Sequence, residues 1–274
     1  MKILTVIVGH GEPNYDIKKS ACQNNISVLL RTAPPDCGID FEILHYDDSP
    51  VEEDYKYVDN LIVKKVKGFV GQHIFNHVQP EKVSNYDKLI LLLDDVALPF
   101  NFNLHDFIKA QDLYDLDVIS PSLSSDSKMG HQKIITRPDF KNSIRIVRCL
   151  EMFFYLFSTK KGIHDSYQKY YSLFTEDTCS MWGIDYAMTF CLKLKCGLVN
   201  DITMKHLFLC ESNGQKSESV AEWSRLNQDL KQRFGCINLD FTNHNAAPQD
   251  LSLIHISEPT RRTPISYAVF CLKK

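Results

Sequence analysis

The chain has 274 residues, 44% hydrophobic, 24% charged and 11% aromatic, which suits one large α/β domain or two small ones. A formal charge of -3 gives no reason to expect a nucleic-acid or anionic-membrane partner. No stretch approaches the ~18 uninterrupted apolar residues of a transmembrane segment. Met1 to Gly9 is too short for a signal peptide and runs straight into polar His10-Gly-Glu-Pro.

Ile3 to Val8 is a β-branched run that predicts a buried first strand, closed by Gly9-His10-Gly11, a turn that permits close backbone approach. Ile17 to Arg31 is helix-compatible, with Ala21, Val28 and Leu29 on one side, and Pro34-Pro35-Asp-Cys-Gly38 breaks it. Phe41 to Tyr46 predicts a second strand, ending in Asp47-Asp48. A polar stretch rich in Tyr and Lys leads to Val66-Lys-Gly-Phe69, and Gly71 to Val78 predicts a short helix. Lys88-Leu-Ile-Leu-Leu-Leu-Asp94-Asp95 then predicts a strand buried on both faces. Strand, helix, strand, helix, strand is the signature of a parallel sheet of the nucleotide-binding kind.

Leu104 to Leu113 is the next helix, and Leu116 to Ser120 a short strand closed by Pro121. Ser122 to Gly130 is a polar loop. Ile134 to Arg137 and Ser143 to Cys149 alternate like antiparallel strands, and Glu151 to Phe157 is densely aromatic. Asp165 to Leu173 is amphipathic, Tyr186 to Lys195 an apolar helix, and Leu198 to His206 a last strand. No internal repeat or linker divides the chain, so one domain is expected.

Nine cysteines show no C-x-x-C pair. Cys149, Cys191 and Cys210 lie inside apolar patterns, so reduced, buried thiols in a cytoplasmic protein are expected.

Residues 251–274 stand apart. Leu251 to Arg261 (Leu-Ser-Leu-Ile-His-Ile-Ser-Glu-Pro-Thr-Arg) resembles a translated transposase-type sequencing adapter. Ile265 to Lys274 resembles the adapter's remainder, beyond an index-length gap at Arg262-Thr-Pro264. The tail is therefore expected to be read-through and the fold to lie within 1–250. Four basic residues and one acid leave with it, which moves the formal charge from -3 to -6.

Asp94 and Asp95 fall where open α/β sheets place ligands. Adjacent carboxylates there repel each other unless a positive group sits between them, and a divalent cation is the common answer. The alternative is that Asp94 caps a turn and Asp95 is solvated. Trp182-Gly183 precedes Asp185, which suits the first turn of a helix facing a cleft, or plain complementarity to the helix dipole. His206 ends a β-run, as a ligand or as a hydrogen-bonded structural residue. Asp47-Asp48 suits either a ribose hydroxyl or a solvated turn.

The blocks Asp94-Asp95, Asp117-Val-Ile-Ser-Pro-Ser-Leu123, Gly130-His131-Gln132, Glu151-Met-Phe-Phe-Tyr-Leu-Phe-Ser158 and Trp182-Gly-Ile-Asp185 precede a strand closing on His206. This order resembles the family typified by plant proteins once labelled lysine-ketoglutarate reductase trans-splicing related. Its members carry W-D-E-D, I-S-Q-P-A-L, H-H, E-M-x-x-P-V-F-S and W-G-L-D blocks in the same order. That family is in turn similar to glycosyltransferases of the GT-A fold. The resemblance covers about Tyr86 to Leu207.

The resemblance implies an α/β GT-A-like nucleotide-diphospho-sugar transferase. A mixed, mostly parallel sheet would be flanked by helices, with a nucleotide-binding half over 1–100 and an acceptor and metal half over 101–210. Asp94 and Asp95 would be the counterparts of a D-x-D motif, although Val96 stands where the family's third position is acidic. His206 would complete the sphere of a Mn²⁺ or Mg²⁺ ion, which makes the diphosphate a competent leaving group. Asp185 would be the base of an inverting reaction at the acceptor hydroxyl. Gly9, His10 and Asp47 would line the nucleotide pocket, and Glu151, Trp182 and Gly183 would lie by the acceptor, a glycan or other hydroxyl compound. Two other functions suit the same sheet. One is a metal-dependent nucleotidyltransferase with Lys18, Lys19 or Arg31 at a triphosphate; the other is a non-catalytic nucleotide- or carbohydrate-binding protein.

Overall fold

The computed structural model describes residues 1–48, 51–127, 143–147, 149–159, 164–179, 181, 183–207, 224–226, 228–233, 235 and 252–255. The chain opens with β1 (Lys2–His10), α1 (Tyr15–Thr32) and β2 (Gly38–His45), then a 3₁₀ turn (Glu52–Tyr55), β3 (Leu61–Lys65), α2 (Val70–His77) and α3 (Pro80–Val83). β4 (Lys88–Leu93), β5 (Val96–Ala97), α4 (Leu104–Leu113), β6 (Val118–Leu123), β7 (Ser143–Val147) and β8 (Phe154–Ser158) follow. α5 (His164–Tyr171), α6 (Ile184–Phe190), β9 (Cys196–His206) and β10 (Ser252–His255) complete the described elements.

The strands lie in the order β10-β7-β9-β6-β8-β4-β1-β2-β3, with β5 paired to β9 off that path. β1 is parallel to β2 and β4, β2 to β3, and β6 to β9. β8 enters antiparallel between β4 and β6. From β1 the chain first fills one side of the sheet with β2 and β3, then crosses to the other side with β4. The crevice between the ends of β1 and β4 is therefore a topological switch point, where such sheets hold ligands. β1 and β4 are sandwiched by neighbours on both edges and bury nearly every residue, which is why Ile3 to Val8 and Leu89 to Leu92 read as unbroken apolar runs.

Three elements depart from the sequence expectation. β3 was hidden in the polar stretch because it is an edge strand: one side pairs with β2, and its lysines and exposed Ile62 face outward. Pro121 lies inside β6 instead of closing it. β6 pairs with β8 only through Val118 and Ile119, and its register with β9 shifts between Pro121 and Ser122, so the missing N–H disrupts no ladder there. α6 starts earlier and stops at Phe190, short of Lys195, and Lys193 beyond it takes a left-handed φ of 59°.

Cys22, Cys149 and Cys196 are buried and free, as expected, but Cys191 is disulfide-bonded, against the expectation of a reduced thiol. Ser252–His255, set outside the fold on its sequence, pairs antiparallel with β7. Among the described residues β7 is otherwise paired only to β9, and its second edge offers backbone groups that an extended segment of almost any sequence can take. Ile134–Arg137, Gly130-His131-Gln132 and Cys210 lie outside the described residues. Among the described residues no helix is long and apolar enough to cross a membrane.

Candidate functional site

The switch point is built on a bend. Gly9 has a φ of +87°, at the place where the register of β1 against β2 shifts, and a Cβ there would stand 3.5 Å from Asp94 Oδ1. Asp94 is buried beneath this turn. Its Oδ2 lies 3.0 Å from Lys18 Nζ, on the buried face of α1, in a charge contact without an aligned hydrogen bond. Lys18 also donates to the Tyr46 hydroxyl at 3.4 Å. Burial raises the Asp94 carboxyl to about 8, while Lys18 pulls the other way and Asp95 adds repulsion. Lys18, weighed from sequence only as a phosphate ligand, is the counter-ion of Asp94.

Asp95 takes a different partner. β5 pairs antiparallel with the end of β9, setting Val96 opposite His206, and Leu207 N–H donates to the Asp95 carbonyl at 2.8 Å. His206 Nε2 consequently lies 3.1 Å from Asp95 Oδ2. The Phe153 ring packs on the imidazole at 4.4 Å between centroids, and Ser127 Oγ accepts from His206 N–H at 3.1 Å. Asp95 Oδ1 is buried with no hydrogen-bond partner among the described residues. A carboxylate oxygen left in that state calls for a cation or a donor from a ligand. The structure thus unites two of the three expected metal ligands, Asp95 and His206, and commits Asp94 to Lys18. Among the described residues no group of three or more His, Cys, Asp or Glu could hold a metal. Any ion at Asp95 and His206 would therefore need further ligands from beyond the described residues, such as substrate or water oxygens.

On the other flank of Gly9, Asp47 sits just past β2. Its Oδ1 accepts from His45 Nε2 at 2.8 Å, and its Oδ2 accepts from Glu12 N–H at 2.6 Å. His10, expected to line a nucleotide pocket itself, is fully buried behind Asp47. Its Nδ1 meets His45 Nδ1 at 3.1 Å, and its Nε2 meets the Tyr55 hydroxyl at 2.9 Å. Burial, then His45 and Lys18, lower the His10 imidazole to about 4. Gly9 and Asp47 are at the crevice; His10 stands one layer behind.

The third group lies at α6. Gly183 precedes the helix with a φ of 87°, and Asp185 is in the first turn, where its Oδ1 accepts from Tyr186 N–H at 3.0 Å. Cys149 Sγ lies 3.8 Å from Asp185 Oδ2. Burial, and after it the Glu151 charge, raise the Asp185 carboxyl to about 8. Glu151 ties this group to the Asp95–His206 pair: Phe153 N–H donates to the Glu151 carbonyl at 2.8 Å, and the Phe153 ring packs on His206. Trp182 lies outside the described residues.

The basic residues weighed for a triphosphate are committed elsewhere. Lys19 bridges Asp16 and Asp54, and Arg31 donates to the Phe100 carbonyl and lies over its ring. His45 and Tyr55 are not singled out by the sequence, Cys149 is read there only as a buried thiol and Phe153 only as part of an aromatic run. The place of His45 at the end of the Phe41–Tyr46 run was the available signal.

Against solved structures, the chain is similar to residues 1–349 of S. aureus TarS, at 12% identity and a TM-score of 0.52, over 89% of this chain and 74% of that one. It is similar to GalNAc-T7 with UDP, GalNAc and Mn²⁺, at 10% identity and a TM-score of 0.54, over 88% of this chain and 56% of that one. The chain has the GT-A fold. Another structure of the TarS fragment, in complex with UDP-GlcNAc, matches at 11% identity and a TM-score of 0.50, over 88% and 74% of the two chains. No family model matches the sequence, and no curated protein matches it. This chain spans just over half of the GalNAc-T7 chain.

Proposed function

We propose that the protein is a metal-dependent glycosyltransferase that moves a sugar from a nucleotide-sugar donor to an acceptor hydroxyl. The observation that carries this reading is the Asp95–His206 pair at the end of β4, with Asp95 Oδ1 buried and unpartnered beside it. The GT-A fold supports it, as do the complexes of its structural neighbours, one with UDP-GlcNAc and one with UDP, GalNAc and Mn²⁺. Asp95 and His206 would hold Mn²⁺ or Mg²⁺, whose charge lets the diphosphate leave.

The chain's own groups divide the remaining work. Asp47, at the crevice just past β2, would face N–H or O–H groups of the nucleotide. Phe153 packs the His206 ring into place. Asp185, its carboxyl raised to about 8, is matched to taking a proton near neutral pH. As the acceptor oxygen bonds to the anomeric carbon, its proton passes to Asp185. The bond from that carbon to the diphosphate breaks, and its electron pair stays on the phosphate oxygen. In-line displacement of this kind inverts the anomeric centre.

Release of nucleoside diphosphate from a panel of nucleotide-sugars with Mn²⁺ tests the reading. Release that disappears in Asp185→Asn and Asp95→Asn is the expected result. No release with any donor, by protein that binds none of them, would remove the transferase reading.

A further inference from the structure

Asp95 is followed by a strand of only two residues, Val96–Ala97, too short to fix its own register. β9 holds one edge of it. In this antiparallel pairing Asp95 and Ala97 turn their backbone groups toward β9, and Leu207 N–H reaches the Asp95 carbonyl at 2.8 Å. Val96 and Leu98 therefore turn theirs the other way. Among the described residues no strand lies on that side. A single side chain of α1 fills the place. Asn25 Nδ2 donates to the Val96 carbonyl at 2.6 Å, and Asn25 Oδ1 accepts from Leu98 N–H at 2.8 Å.

One carboxamide thus makes the two bonds that a neighbouring strand would make to this stretch. Its orientation is fixed by its partners, since a carbonyl needs the amide N–H and an N–H needs the amide oxygen. Asn25 is fully buried in mid-helix, on the stripe Lys18, Cys22, Asn25 and Leu29, where helical spacing calls for an apolar residue. A buried amide there is costly unless both of its functions are matched. The same stripe holds Asp94: Lys18 Nζ lies 3.0 Å from its Oδ2, and Cys22 Sγ donates to its carbonyl at 3.8 Å. Asn24, next to Asn25, donates to the Leu98 carbonyl at 3.0 Å. Residues 94–98 are gripped by α1 on one edge and by β9 on the other. A slip of one residue would turn every side chain to the opposite face, so Asp95 meets His206 only in this register.

We propose that Asn25 is a positioning residue of the metal-dependent site: its carboxamide stands in for a missing strand beside β5 and so fixes Asp95 against His206. This rests on the reading of Asp95 and His206 as metal ligands in the proposed glycosyltransferase. Asn25 touches neither of the two side chains; it acts through the backbone of Val96 and Leu98. Without it the Val96 carbonyl and the Leu98 N–H are left buried and unpaired. The strand can pair them only by leaving its place against β9, which carries Asp95 away from His206.

Amide hydrogen exchange of the full chain, with neither metal nor nucleotide present, reads the clamp. In Asn25→Leu, which keeps the volume and removes the carboxamide, the Leu98 and Leu207 amides are expected to exchange about tenfold faster, beyond any change shared by the core amides of β4. Leu207 lies across β5 from Asn25, so its loss of protection reports the grip on β9 and not the deleted bond itself. Asn25→Ser is the milder variant, with a hydroxyl that can serve one of the two groups, and a smaller effect at the same two amides is expected. Unaltered protection of Leu207 in both variants overturns the proposal. UDP titrated calorimetrically reads the metal. The gain in affinity that Mn²⁺ brings is expected to fall about tenfold or more in Asn25→Leu, while UDP affinity without Mn²⁺ stays within about twofold. An equal loss with and without Mn²⁺, or no loss in either, overturns the role in the metal site. If the unaltered chain gains nothing from Mn²⁺, the reading of Asp95 and His206 as ligands fails and the role of Asn25 there fails with it; the exchange result, obtained without either ligand, distinguishes that outcome from failure of the clamp.

Discussion

Lys18 Nζ lies 3.0 Å from Asp94 Oδ2, and both side chains are shut away from water. The positive charge that a pair of adjacent carboxylates demands is thus supplied twice, in different ways. Asp94 receives it from the chain's own α1. Asp95, whose Oδ1 has no partner among the described residues, is left beside His206 to receive it from outside. The two aspartates that look equivalent in sequence have unequal chemistry because the sheet turns them toward different neighbours.

Removing the internal cation exposes its role. Above about pH 8, where the native Asp94 carboxyl is ionised, Lys18→Met leaves it buried and uncompensated, which costs about 3–5 kcal/mol of folding stability. Asp94→Asn in the same chain is expected to return part of the loss, since a neutral amide needs no counter-ion. Urea unfolding of the single and double variants measures both. A loss below ~1 kcal/mol for Lys18→Met would mean that the pair is not buried as described.

Asp185 couples activity to pH. Its folded carboxyl titrates near 8, raised by burial and then by Glu151, against an ordinary value of about 3.9 in an unfolded chain. The native state therefore holds a proton that the unfolded state has released. The associated stability is fully present below about pH 4 and is lost as pH rises through about 8. Catalysis runs the opposite way, because a base must be ionised, so the rate is expected to climb through about pH 8. Glu151→Gln removes a neighbouring charge and is expected to move that rise to lower pH. A profile whose rising limb stays put in Glu151→Gln would detach Glu151 from the proposed base.

The fold around this site was legible wherever local pattern and burial agreed. The runs at Ile3 to Val8 and Lys88 to Leu93 are strands buried on both faces, and Leu104–Leu113 is a helix with the expected bounds. Asp185 does open a helix, and His206 does end a strand. What could not be read depends on contacts between segments far apart in the chain. Nothing local says that Lys18, seventy-six positions before Asp94, lies on the face of α1 that meets it. The pairing of His10 with His45 depends on the register of β1 against β2, and the link from Asp95 to His206 on that of β5 against β9. β3 is hidden because an edge strand has a neighbour on one edge only, and its residues stay partly exposed.

Packing at α2 provides a stability test independent of chemistry. A Cβ on Gly71 would stand 2.6 Å from the Thr178 carbonyl oxygen, a backbone atom that a side-chain rotation cannot move away. Gly71 N–H also donates to the Cys179 carbonyl at 3.0 Å. Gly71→Ala is therefore expected to cost about 1–3 kcal/mol, read as a lower thermal midpoint. An unchanged midpoint would show that α2 does not press against that loop.

The tail is tested by removing it. β7 stays hydrogen-bonded to β9 without β10, so a chain ending at residue 250 is expected to unfold cooperatively, with a Tm within about 4 °C of the full chain. Loss of cooperative unfolding would make residues 251–274 part of the folded structure.

Calorimetric titration of UDP into the protein, with and without Mn²⁺ and in Asp95→Asn, tests the central claim most directly. Loss of a mere outer partner of a metal ligand costs ~10–100-fold in metal affinity, and loss of a ligand itself at least as much. UDP should bind with Mn²⁺ present, more than about tenfold more weakly without it, and equally weakly in Asp95→Asn whether or not Mn²⁺ is added. UDP binding that ignores both the metal and Asp95, or no binding under any of these conditions, would contradict the account.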